Sequence, residues 1–101
     1  MVFRNKKHLY ILVNFYLKGE INEVTFCDEF YKAYNLGEVE ERLEETEDSI
    51  FNPLSEVAGR FSEFESDHEK YPDVYYTKAE LAEKILETKI ALMKIHSEYF
   101  P

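Results

Sequence analysis

Apolar residues return at helical spacing through most of this chain, and few residues interrupt them. The longest seam runs Val39, Leu43, Thr46, Ile50, Leu54, Val57, Phe61 and Phe64. Every step is three or four residues, the period of a helix face and not the alternation of a strand. Glycine and proline number only three each, too few turn residues for an all-β fold. A chain of 101 residues is one domain, 1–101, with room for a single core. Its 45% hydrophobic content argues against disorder in spite of the charge.

Four helical stretches follow. The first covers about 5–18, with Leu9, Leu12, Val13, Phe15, Tyr16 and Leu17 on a broad face and Gly19 as the stop. The second starts at Asn22, a good N-cap, with Ile21 and Phe26 placed as a hydrophobic staple. It ends near Asn35 and Gly37. The third region carries the long seam, but Pro53 lies inside it, and an interior proline costs a helix about 3 kcal/mol. Two helices, 38–47 and 50–65, are expected to meet near Asp48 and Ser49, with a single kinked helix as the alternative. Residues 66–76 read as a loop around Pro72. The last helix starts at Thr77, whose capping box with Glu80 is explicit. Leu81, Ile85, Thr88, Leu92, Ile95 and Tyr99 would line its inner face, widened by Ala82, Leu86, Ile90 and Met93, and Glu80 and Lys84 make an i,i+4 pair. Short connections make neighbouring helices antiparallel. The expected fold is all-α: an antiparallel up-and-down four-helix bundle, its third helix region broken or kinked near Pro53.

Charge is concentrated in the middle. Between Glu38 and Asp73 thirteen acids face only Arg42, Arg60 and Lys70, a balance of −10 in a chain whose net charge is −9. Such a surface repels nucleic acid and attracts cations or basic proteins. On a helix, Glu40–Glu44, Glu41–Glu45 and Glu44–Asp48 would be like charges one turn apart, each costing about 0.2–0.5 kcal/mol. A solvated face selected for solubility would intersperse lysine, whereas a cationic partner would offset the repulsion. The second cluster, Glu63, Glu65, Asp67, Glu69 and Asp73, would lie at a helix end and in the next loop, where the helix dipole gives acids no help. Tyr71, Tyr75 and Tyr76 are interleaved with it. Tyrosine with carboxylate suits a basic protein surface, the rings giving contact area and the acids pairing with Lys or Arg.

Signals for chemistry are sparse. His8, His68 and His96 are scattered without ligand spacing. Cys27 stands alone, which excludes an intramolecular disulfide and reads as a buried, inert thiol in a reducing, cytoplasmic setting. No glycine-rich phosphate loop or nucleophile motif is present. Glu44 with Glu47 or Asp48 could share a divalent cation on one helix face, but histidine and loop spacing are lacking. No catalytic residue, cofactor or metal is expected, and the chain reads as a non-enzyme. The longest apolar run, Leu9 to Val13, is far short of a membrane span, and the N-terminal region lacks a signal-peptide cleavage pattern.

The stretch Phe15-Tyr16-Leu17-Lys18-Gly19-Glu20-Ile21, followed by Phe26 and Phe30-Tyr31, is similar to a pattern in the colicin D-type immunity proteins. Ile50-Phe51-Asn52-Pro53-Leu54, the Arg60-Phe61 pair with acids after it, and Thr77-Lys78-Ala79-Glu80-Leu81 resemble that family's later helices. The likeness covers about residues 9–95 and rests on packing patterns. It implies a cytoplasmic immunity protein of a bacteriocin or contact-dependent inhibition system. Such a protein binds one-to-one to a nuclease toxin, commonly a tRNase, and sets carboxylates where RNA phosphates would sit. The resemblance places toxin binding at Glu56, Glu63, Glu65, Asp67, Glu69 and Asp73, and the interleaved Tyr71 joins them as contact area. Glu40, Glu41, Glu44, Glu45, Glu47 and Asp48 are left for electrostatic steering. The alternative is an acidic adaptor or nucleic-acid mimic that binds a host nucleic-acid-binding protein. The free protein is expected to be a monomer that touches neither nucleic acid nor membrane.

Overall fold

The computed structural model describes residues 5–100 and is all-helical among them. In chain order the helices are α1 (Lys7–Leu17), α2 (Glu23–Phe30), α3 (Glu45–Gly59), α4 (Glu65–Lys70) and α5 (Lys78–Met93). A π-helical turn, Tyr31–Asn35, extends α2, and a 3₁₀ turn, Ser97–Tyr99, follows α5. No described helix is long and apolar enough to cross a membrane.

The first two helices begin and end as their sequences direct. Gly19 takes φ +77° after α1, the left-handed conformation that glycine adopts most easily. Asn22 caps α2 by accepting from the Thr25 N–H at 2.9 Å. Phe26 and Phe30 stack at 5.5 Å, Phe30 stacks on Tyr34 at 5.4 Å, and Phe51 of α3 closes on Phe30 at 6.0 Å. With Leu9, Val13, Leu54, Leu81, Ile85 and Leu92 these rings form one core under α1, α2, α3 and α5. Full burial of each such side chain contributes about 1.5–3 kcal/mol.

The third region departs from expectation. Residues 38–44 are not helical, and one helix, α3, runs from Glu45 to Gly59 through Asp48, Ser49 and Pro53, so the two-helix expectation is corrected and the single-helix alternative holds over 45–59. The physical reason lies in the acids. Starting the helix at Glu45 removes the like-charge ladder, and Glu45, Glu47 and Asp48 fall in the first turn, where the dipole favours them. Pro53 is tolerated because it and Ser49, whose carbonyl it cannot serve, both lie on the exposed side. Phe51, outside the expected seam, joins Leu54 and Val57 in the core, while Thr46 and Phe64 are exposed. Val39 and Leu43 still pack against the core, but from a non-helical segment.

Residues 66–76 were expected as loop, yet Glu65–Lys70 forms α4. Glu65 and Asp67 occupy its first turn and His68 and Lys70 its last, so the dipole does stabilise these acids. None of its residues is buried. The α5 capping box forms as read, with Thr77 N–H to Glu80 Oε1 at 2.9 Å and Glu80 N–H to Thr77 Oγ1 at 3.2 Å. Because Glu80 serves the cap, Lys84 reaches Glu87 instead, at 3.5 Å. The helix stops at Met93, leaving Ile95 exposed and Tyr99 on the following turn, where its ring packs on Tyr10 at 4.5 Å. Leu86, Ile90 and Met93 remain on the outside.

Candidate functional site

The densest acidic stretch is partly internal. Glu47 is fully buried. Its Oε1 accepts from Lys6 Nζ at 3.0 Å and from the Glu44 N–H at 2.9 Å, and its Oε2 accepts from the Tyr10 hydroxyl at 2.5 Å. Burial alone would raise the Glu47 carboxyl, but bonds from Tyr10, Glu44 and Lys6 outweigh it and hold the group below its ordinary value. Burial likewise opposes the charge of Lys6, and the bond and charge of Glu47 overcome it and raise the ammonium. The expectation that Glu47 steers partners is therefore corrected: its charge is buried and neutralised at close range.

Neighbouring acids are also engaged. Glu41 Oε1 accepts the Lys6 backbone N–H at 3.0 Å. Asp48 Oδ1 accepts the Tyr34 hydroxyl at 2.6 Å, and burial, then Asp48, raises that phenol. His96 Nε2 lies 3.1 Å from Glu44 Oε2 and its Nδ1 2.9 Å from Glu98 Oε1. The bonds to Glu98 and Glu44 raise the imidazole above 6.5. Beside Glu41, Glu44 and Asp48 opens a cleft of about 1120 Å³, whose lining also includes Glu40 and Glu45, with Arg42 as the one base among the described residues.

One atom each of Glu44, Glu47 and His96 lies within 4.8 Å of the others, a set that could hold a divalent cation. Sequence spacing hid this set because His96 comes from beyond α5. Lys6 already sits 3.0 Å from Glu47 and 3.8 Å from Glu44, and Tyr10 takes the remaining Glu47 oxygen. A metal there would compete with these groups, and the fold already supplies the cluster with the Lys6 ammonium.

The second acidic cluster is built differently. Residues 60–76 leave the body as an arm pinched at its base, where Tyr76 N–H donates to the Arg60 carbonyl at 2.7 Å and Ser62 N–H to the Tyr76 carbonyl at 3.2 Å. Buried Ser62 organises the interior of the arm. Its hydroxyl donates to Asp67 Oδ2 at 2.6 Å and accepts from the Phe64 N–H at 3.1 Å, while His68 Nε2 meets its carbonyl at 2.8 Å. Glu63, Glu65, Glu69 and Asp73 are exposed, and no ion pair among the described residues engages them. Tyr71 is exposed, with Lys70 Nζ 5.5 Å from its ring centre and Tyr75 packed edge-on at 6.3 Å. Glu56 is exposed on α3. The fold thus brings Glu63, Glu65, Asp67, Glu69, Tyr71 and Asp73 onto one arm, with Asp67 partly committed to Ser62. Phe64, expected in the helical seam, is 61% exposed beside them.

Cys27 is half-buried, and its thiol is pushed up to about 12, chiefly by burial and then by Asp28 and Glu23. It is protonated and a poor nucleophile at neutral pH. No family model, curated protein or solved structure matches this chain.

Proposed function

We propose that this protein binds a basic protein and that its partner is a nuclease toxin, which it neutralises without doing chemistry itself. The observation that supports this reading best is the arm. It presents exposed carboxylates and an exposed tyrosine on and around α4, a helix with no buried side chain, and no ion pair among the described residues consumes the charge of Glu63, Glu65, Glu69 or Asp73. A nuclease cleft is basic because it binds phosphates, and carboxylates at Glu63, Glu65, Glu69 and Asp73 would stand in for them. Glu56 and Tyr71 would extend the contact. Glu40, Glu41, Glu44, Glu45 and Asp48 would add long-range attraction from the body, where they are exposed. The scaffold in this reading is the up-and-down bundle of α1, α2, α3 and α5, with α4 carried on the arm. That the basic partner is a toxin, and a tRNase in particular, rests on the resemblance to colicin D-type immunity proteins. A cytoplasmic, monomeric inhibitor forming a one-to-one complex is the form it implies.

The test has two levels. Cells expressing this protein should survive the toxin encoded beside its gene, and death at the control rate would end the immunity reading. In binding kinetics, Glu63→Lys combined with Glu65→Lys should slow association about tenfold or more at low salt, with far-UV circular dichroism unchanged. Unchanged kinetics would move the contact off the arm. If a pull-down returned a host nucleic-acid-binding protein and no toxin, the acidic-adaptor reading would replace the toxin one.

A further inference from the structure

A groove of about 530 Å³ lies between the α2–π-helix side of the body and the root of the arm. Val24, Tyr31, Ala58, Phe61 and Phe64 give it apolar walls. Asp28, Glu63 and Asp67 also line it, and among the described residues no Lys or Arg does. Its size falls within the roughly 300–1,000 Å³ of ordinary binding pockets. Tyr31 and Asn35 reach it from the π-helical turn, a local widening of the helix that is uncommon and often marks a functional place. Asn35 Oδ1 is held there by Ser55 Oγ at 3.1 Å. Beside the groove stand large apolar side chains left open to solvent: Phe64 at 61% and Tyr31 at 52% exposure.

We propose that this groove is a socket for an apolar side chain carried by a Lys- or Arg-rich segment of the partner. The proposal rests on the reading that the partner is basic, and it names what that partner must carry besides charge. Apolar walls alone would accept many occupants. A described lining with three carboxylates and no Lys or Arg disfavours anionic ligands and acidic peptides, and favours an apolar residue with bases on either side. Aromatic anchors at the centre of an interface, with a charged rim, are the arrangement that concentrates binding energy in few residues.

Three short peptides test it on the isotope-labelled, full-length protein, read by amide NMR shifts and by affinity. One has a leucine flanked by lysines, one a glycine flanked by the same lysines, and one a leucine flanked by glutamates. The leucine–lysine peptide should shift the amides of Val24, Tyr31, Ala58 and Phe64 and bind about tenfold tighter than the glycine peptide. Phe64→Ser should remove about that advantage, and Tyr31→Ser, from the other wall, should do the same; both sites are exposed enough to leave the fold intact. Equal binding of the leucine and glycine peptides, with no shifts in the groove, would overturn the socket and leave the basic partner standing. Failure of both lysine peptides to bind would overturn the socket together with the charge reading beneath it. Equal binding of the glutamate-flanked peptide would remove the basic occupant and overturn the proposal on that ground.

Discussion

In the 38–48 segment several carboxylates turn toward the body. Glu47 joins Lys6 and Tyr10 in the interior, Glu44 meets His96, Glu41 takes a backbone N–H and Asp48 takes a tyrosine hydroxyl. In the 60–76 arm most carboxylates face solvent, and only Asp67 has a described side-chain bond, to Ser62. Both stretches are dominated by acids, yet one spends much of its charge on holding the start of α3 in place and the other keeps it available. The difference teaches that the density of charge along a sequence does not locate a binding surface. The fold decides which carboxylates keep their charge open to solvent.

The largest effect should come from the buried end of this comparison. Glu47→Ala strands Lys6 and removes the acceptor of Tyr10, so it should cost about 3–5 kcal/mol in urea unfolding. A cost below about 1 kcal/mol would erase the distinction between the two stretches. Tyr10→Phe keeps the ring against Phe51 at 5.7 Å but leaves one Glu47 oxygen without its donor. A loss of about 1.5–3 kcal/mol is expected by the same measurement.

The pH dependence sharpens the comparison further. Glu47 is held below 4.5 in the fold, so its contribution is present above that value and is lost as pH falls through the lower, folded value. His96 is held above 6.5. Its contribution is complete below 6.5 and fades as pH rises through its folded value. Urea midpoints followed from about pH 4 to 9 should therefore show a wild-type advantage over His96→Gln that shrinks toward the alkaline end. An advantage independent of pH would show that Glu44 and Glu98 do not hold a charged imidazole.

The smallest effect belongs to the arm. The Glu63→Lys, Glu65→Lys double variant that should slow partner association should change unfolding free energy by no more than about 0.5 kcal/mol per site. A larger loss would mean that the arm's acids also hold the fold.

Much of the scaffold was legible in residues close together in sequence. Asn22 before α2, Thr77 with Glu80 before α5, and Gly19 after α1 are local signals, and each acts in the fold as its chemistry directs. The helical period also identified Leu54, Val57, Leu81, Ile85 and Leu92 as interior. The period was misleading between 38 and 44, because steps of three and four cannot register the repulsion of closely spaced glutamates or the gain from putting acids in a first turn. It was misleading again at Phe64, where the chain had already left α3 for the arm.

The concentrated negative charge, the helical class and the caps were thus determined by the sequence alone, because each depends on composition or on groups within one helical turn. Only tertiary structure decided which acids are spent and which are free. Lys6 and Glu47 are 41 residues apart and His96 and Glu44 are 52 apart. Pairs at that separation meet only when packing of the core brings α1, the start of α3 and the C-terminal turn together. The same packing draws Phe61 and Tyr76 against the core but leaves most of the segment between them outside it, with its carboxylates and Phe64 open to solvent.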